Sequence, residues 1–166
     1  AHNLWADAAI ALQEKEWPGM ELVGDRFGVS NSVEDSYNTA IDQMRAIPDL
    51  KGILIFGANG PIGAGRAVLE REATDRVTVV GPFIPSQGRQ LMEAGAIKRG
   101  FLWSPIDAGY AMVALGKLLA EDVEIVDGME IPGLGQVKVD VENHLILADK
   151  PLDINPDTIA ELSALI

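Results

Sequence analysis

The apolar run Gly52-Ile53-Leu54-Ile55-Phe56 passes straight into Gly57-Ala58-Asn59-Gly60-Pro61-Ile62-Gly63, and a helix-like segment follows. A continuous run of this kind suits a parallel strand covered on both faces. Its glycine-rich exit lies where open α/β sheets bind ligands, at the carboxyl end of a strand. The run therefore points to an α/β chain and leaves one question: whether the turn cradles a dinucleotide or serves another purpose.

A dinucleotide turn needs an acidic residue about 20 positions on, at the end of the next strand, to hold a ribose hydroxyl. Here the next strand ends in Val80-Gly81-Pro82-Phe83, with no carboxylate. Pro61 also removes one of the backbone N–H groups that would face a pyrophosphate. The short-chain dehydrogenase variant requires Tyr-x-x-x-Lys, but Tyr110 is followed by Ala114 at that spacing and Tyr37 by Ile41. An NAD(P)-dependent oxidoreductase is thus a rival reading without its supporting residues.

Other chemistries lack their residues too. His2 and His144 are far apart and neither has metal-ligand spacing. The absence of cysteine removes thiolate ligands, thiol nucleophiles and disulfides. No serine sits in a nucleophile elbow. Glu14, Glu16, Glu70, Glu72, Glu121 and Asp122 read as solvated helix faces and ends. No catalytic residue, metal site or cofactor is assigned, and the expectation is a protein that is not an enzyme.

Along the chain, elements alternate. Leu4, Ala8 and Leu12 share a helical face, which predicts a helix over 4–16 closed by Pro18-Gly19. Residues 20–27 (MELVGDRF) read as a strand. Ser32, with Asp35 three residues later, offers a helix start, and Tyr37, Ile41 and Met44 mark the stripe of a helix ending before Pro48. Further predictions are a helix over 62–73, a buried strand in VTVVG, a short helix in SQGRQLMEAG closed by Gly95, and a strand in AIKRGFLW. Ser104-Pro105-Ile106-Asp107 is a hydroxyl cap followed by Pro and a carboxylate, and starts a helix running to about Ala120. After Asp122, alternating strands and turn residues predict a small antiparallel section, and a last helix starts near Asn155-Pro156.

The chain's 166 residues suit one domain with a real core. A net charge of −12 argues against a nucleic-acid partner, which needs clustered Lys and Arg, and against an anionic membrane surface.

The order of elements resembles the second lobe of sugar-type periplasmic solute-binding proteins, the ribose-binding family, and within it the branch of autoinducer-2-binding and rhamnose-binding proteins. The marks are HNLW before the first helix, WPGMELV, PDLKGIL, VVGP, AIKRGFLWSPIDAGYA and IPGLGQVKV. The resemblance implies a periplasmic-binding-protein-like lobe: a mainly parallel sheet with helices on both faces and a small antiparallel tail, part of a two-lobed protein. Residues 1–102 would be the carboxyl-terminal lobe without its first strand. Residues 103–135 would be the hinge and a segment of the first lobe, and residues 136–166 return strands and a terminal helix. On this reading the chain is a processed form or fragment, with its signal peptide removed. It would be the periplasmic component of an ABC-type importer, with a small sugar-like ligand (autoinducer-2, rhamnose or a related polyol), a membrane permease and either the missing lobe or a second copy of the chain as partners. The ligand-sensing domain of a transcription regulator of the same fold is the alternative.

The resemblance also implies a site at the strand ends. Residues before the first helix match Ala1, His2 and Asn3, and related autoinducer-2 binders carry an Asp-Gln pair where Ala1-His2 stands here; His2 is a hydroxyl donor or an unordered terminal residue. The glycine turn supplies Phe56, Gly57 and Ala58. Phe56 and Phe83 either stack on a ligand face or pack at their strand ends. Trp103, at the hinge strand, offers a flat apolar face with one N–H, or seals the hinge. Asn59 is expected to stabilise the turn by tolerating unusual backbone angles. The helix from Pro105 would expose Ile106, Tyr110 and Val113 in the absence of the other lobe.

Overall fold

The computed structural model describes residues 2–148 and 151–166. Its chain order is α1 (His2–Glu16), α2 (Val33–Ala46), β1 (Gly52–Leu54), α3 (Gly60–Glu70), β2 (Thr78–Pro82), α4 (Pro85–Glu93), β3 (Ile97–Leu102) and α5 (Pro105–Ala120). Short strands β4 (Glu130–Ile131), β5 (Gly135–Gln136), β6 (Lys138–Asp140), β7 (Leu145–Leu147) and β8 (Leu152–Ile154) follow, then α6 (Ile159–Leu165). Two units are distinct. One comprises residues up to 101 together with 153–166; the other comprises residues 102–152.

The first unit is the α/β body. Its sheet has the order β1-β2-β3-β8. β1, β2 and β3 run parallel, and Lys98 forms a bulge where Val79 faces Ile97 but Val80 faces Arg99. The core is built from Val77, Val79, Phe83 and Ile97 of the sheet region, Val68 and Ala67 of α3, and Ile154 and Ile159 from the returning chain. Arg99 on β3 donates two hydrogen bonds to Asp153 at 2.8 and 2.9 Å. Those bonds, with one from Asn155, hold the Asp153 carboxyl below its ordinary range. Ser86 N–H donates to the Ile166 carbonyl at 3.2 Å, joining the start of α4 to the end of α6.

Local signals set several boundaries. Ser32 Oγ accepts from Asp35 N–H at 3.2 Å, which caps α2 as its sequence predicts. Gly95 adopts φ +75° just past α4, the left-handed exit expected of it. α3 begins at Gly60, earlier than expected, because Pro61 fits the first turn, where no intrahelical N–H is needed. It stops at Glu70, and Glu72 takes φ 51°. α2 and α3 pack against each other, and Tyr37 Oη donates to Glu70 at 2.6 Å. That hydrogen bond raises the Tyr37 phenol above its ordinary value.

Three expectations change. α1 forms, but its covered face is Ala6, Ala9 and Ile10, and Leu4 and Leu12 are exposed. Residues 20–27 are not a strand, and have no sheet partner among the described residues. A strand exists only through its neighbour's backbone, so apolar content alone cannot make one. β1 is not covered on both faces: it ends the sheet, and Leu54 is exposed.

The second unit begins at Leu102, just ahead of α5. Ser104 Oγ accepts from Asp107 N–H at 3.1 Å, and Pro105 occupies the first turn. Gly133, at φ +87°, lies so close to the Asp107 carbonyl that a side chain there would overlap it. This contact seats β4 beside α5, where Ala111 and Ile131 are buried. Two antiparallel pairs, β4–β5 and β6–β7, form the rest, in the region where an antiparallel section was predicted. Ile106, Tyr110 and Val113 are exposed on α5, Val113 by 75%.

Candidate functional site

The site region lies in the first unit, where the chain turns at residues 27–32, 56–61 and 82–85. Loops 27–32 and 56–61 are locked together. Asn59 Nδ2–H donates to the Asn31 carbonyl at 2.8 Å, and loop 27–32 is in turn tied to α2, where Ser36 Oγ–H donates to the Val29 carbonyl at 2.9 Å. A side chain on Gly57 would overlap Ser30. Asn59 has φ −85° and ψ −22°, an ordinary helical conformation. Its part in the turn is therefore this hydrogen bond rather than tolerance of a strained backbone.

The same contacts answer the question the glycine turn poses. A side chain on Gly60 would meet Ile55 and Ser30, and one on Gly63 would overlap the Val33 carbonyl and the Tyr37 amide. Gly57, Gly60 and Gly63 all lie outside the left-handed region. They are glycine because α2 and loop 27–32 approach to backbone contact. The start of α3, Gly60 through Gly65, is buried, so its N–H groups are sealed behind neighbouring chain rather than offered to a phosphate.

A cavity of about 280 Å³ opens beside β1. It is lined by α1 (His2, Asn3, Ala6, Ala9, Ile10), by residues 22–27, by α2, by β1 and by Ile55 and Phe56 just beyond it. Arg26 pairs with Asp7 at 2.6 Å and ties residues 20–27 to α1. His2, Asn3 and Phe56 thus come together in one lining. Ala1 lies outside the described residues. Gly57 follows directly but is buried under Ser30, and Ala58 is half-exposed.

Phe83 does not join them. It is 0% exposed, and its ring occupies the space left by Gly88 and Gly100, where a side chain would strike it. In this conformation Phe83 is core packing, not an open stacking face. Trp103 belongs to the other unit and is 62% exposed, an aromatic surface open to contact. Sequence reasoning missed Ala6, Ala9 and Ile10 of α1 and Gln43 of α2 in the lining; for α1 the signal was the spacing of Ala6 and Ala9.

Loop 27–32, ahead of α2, and loops 56–61 and 82–86, after β1 and β2, carry no charged side chain. They offer Ser30, Asn31, Ser32, Asn59, Ser86 and backbone groups, a set fit for an uncharged polar molecule. Among the described residues no cluster of His, Asp and Glu is arranged to hold a metal ion, and no helix is long and apolar enough to cross a membrane.

Comparison with known proteins gives consistent matches. A family model described as a periplasmic binding protein domain matches residues 1–122. Among solved structures, a sugar ABC transporter protein from Actinomyces odontolyticus superposes with a TM-score of 0.80 at 22% identity, covering 96% of this chain and 52% of that one. LsrB from Clostridium saccharobutylicum, solved in complex with AI-2, gives 0.79 at 19% identity, covering 96% and 54%. An ABC transporter solute-binding protein from Clostridium phytofermentas with bound L-rhamnose gives 0.80 at 20%, covering 99% and 56%. At these identities the structures establish a shared fold. The chain spans about half the length of each.

Proposed function

This chain belongs to the periplasmic binding protein domain family, a family of binding proteins rather than enzymes, and on that premise we propose that it is part of a two-lobed extracytoplasmic protein that captures a small neutral sugar-like molecule for an ABC-type importer. The first unit forms most of one lobe. Residues 103–135 are the hinge and a piece of the other lobe, and residues 136–166 bring the chain back. The permease of the importer and the other lobe are its partners.

The observation that carries this reading is the absence of charged side chains from loops 27–32, 56–61 and 82–86, in a chain that belongs to a binding-protein family. A ligand with many hydroxyls would need planar polar side chains to satisfy them, because unpaired buried groups are costly. In the first unit backbone groups, Asn3 and the ring of Phe56 dominate the candidate set; in the second, Trp103 offers an exposed aromatic face of its own. That balance favours a compact, partly apolar molecule such as AI-2 or a deoxysugar like L-rhamnose, the ligands of two proteins that share the fold.

Calorimetry on the full gene product with AI-2, L-rhamnose and D-arabinose tests this. One of the neutral ligands should bind, and Trp103→Ala should weaken it by about 1–3 kcal/mol, the scale of an aromatic contact with its burial. Binding of a charged solute in preference to all three would overturn the proposal.

A further inference from the structure

Asn59-Gly60 is the one Asn-Gly pair in the chain. An asparagine followed by glycine is chemically labile, because no side chain shields the glycine nitrogen from the asparagine carboxamide. The other asparagines precede Leu4, Ser32, Thr39, His144 and Pro156, which crowd that nitrogen or, at proline, leave it without a proton. The fold has a use for each member of the pair. A side chain on Gly60 would strike Ile55 and Ser30. Asn59 supplies the Nδ2–H that joins loop 56–61 to the Asn31 carbonyl at 2.8 Å. Close packing and the bond between the loops thus put a labile pair at the start of α3. The same structure restrains it. Asn59 sits at φ −85° and ψ −22°, whereas attack by the Gly60 nitrogen on Asn59 Cγ needs that nitrogen swung round toward Cβ, at a ψ far from this one. Gly60 is buried, and its N–H donates to the Gly57 carbonyl at 3.1 Å. The carboxamide is held by Asn31, on a loop that Ser36 ties to α2.

We propose that Asn59 is a deamidation site gated by the contact between loops 27–32 and 56–61: preserved while they are joined, converted when they part, and unable to rejoin them afterwards. In the open state the Gly60 nitrogen bonds to Asn59 Cγ, the Cγ–Nδ2 bond breaks, and the Gly60 amide proton leaves with the Nδ2 group as ammonia. Water then opens the succinimide ring at Cγ, giving aspartate, or at the backbone carbonyl, giving isoaspartate with the main chain routed through Cβ. No electrons are exchanged, and water is the only co-reactant. Both products carry a carboxylate, which has no hydrogen to donate. It would meet the Asn31 carbonyl oxygen against oxygen, on a loop that otherwise carries no charged side chain. The bond between the loops therefore does not re-form, and the change is permanent. The inference is independent of what the protein binds, and its test contains no ligand.

The test holds the full gene product in mildly alkaline buffer, folded or in urea above its unfolding midpoint, and follows asparagine loss residue by residue by peptide mapping and mass spectrometry in heavy-oxygen water. In urea Asn59 should be converted faster than Asn3, Asn31, Asn38, Asn143 and Asn155. In the folded protein its loss should be slower by about tenfold or more, because reaction is confined to the open fraction. Ser36→Ala removes the tie between loop 27–32 and α2, and should raise the folded-state rate by roughly threefold or more while leaving the rate in urea unchanged. Should that variant not fold, urea far below the midpoint replaces it as the means of loosening the loops, with the same rise expected. Asn59→Asp is equivalent to one product. It should speed hydrogen exchange at Ser32, whose N–H donates to the Val29 carbonyl, by about fivefold or more. Equal loss of Asn59 in folded and unfolded protein, a folded-state rate indifferent to loosening of the loops, or unchanged exchange in Asn59→Asp would each overturn the proposal.

Discussion

Gly63→Ala isolates the claim that the glycine turn exists for packing. The added methyl would overlap the Val33 carbonyl and sit against the Tyr37 amide, both backbone atoms of α2. Backbone cannot swing aside as a flexible side chain can, so α2 and α3 must separate. Overpacking of this kind typically costs about 1–3 kcal/mol, and the backbone contact places Gly63 near the upper end. Replacing Gly by Ala within a helix offsets about 0.5–1 kcal/mol of that. The net expectation is a loss of about 2 kcal/mol, or roughly 4–8 °C in Tm for a chain of this size. Gly116→Ala on α5 is the matched control, because nothing lies near its added methyl. It should stabilise α5 by about 0.5–1 kcal/mol. Thermal and urea unfolding followed by far-ultraviolet circular dichroism would measure both. A Gly63→Ala protein as stable as the parent would refute the packing account and reopen the start of α3 as an anion cradle.

Three further outcomes are expected. Titration with NAD or NADP should give no heat, since the α3 N-terminus is buried, and a micromolar dissociation constant would contradict this. Ser104→Ala should destabilise the α5 start by about 1 kcal/mol in urea unfolding, because Ser104 Oγ accepts the Asp107 N–H; an unchanged midpoint would remove the cap from the account. Asp153, held below its ordinary value first by Arg99 and then by Asn155, contributes stability that is complete above the unfolded carboxylate value of about 3.9 and is lost as pH falls through the lower folded value. Tm of the parent should therefore fall more steeply below about pH 4 than Tm of Asp153→Asn, and parallel curves would count against the Arg99–Asp153 link.

What the sequence disclosed divides along a physical line. Ser32 with Asp35, Ser104 with Asp107, and Gly95 act on backbone groups within a few residues, so their helix ends were legible. Residues 20–27 read as a strand because strand propensity is local, whereas pairing depends on a neighbour far away in sequence. Helix α1 carries two interleaved patterns, and the small residues Ala6 and Ala9 were covered while the larger Leu4 and Leu12 were not. Phe83 could not be sorted between ligand face and core without knowing that Gly88 and Gly100 leave its ring a niche. The glycine turn itself was ambiguous, because close approach to another chain segment and close approach to a phosphate both call for a missing side chain.

The α/β unit is assembled from two separated stretches of chain, residues up to 101 and residues 153–166. During synthesis the ribosome delivers its parts at different times. At about 5–20 residues per second, β8 and α6 emerge roughly 3–13 s after β3 is complete. Throughout that interval the far edge of β3 has no neighbour, and Phe101 and Ile97 stand beside an open row of backbone groups. Lys98 and Arg99 on the same strand act as charged guards against pairing with a stray nascent chain. When residue 153 arrives, its carboxylate takes up the Arg99 guanidinium, and the guard becomes the clasp that fastens the last strand.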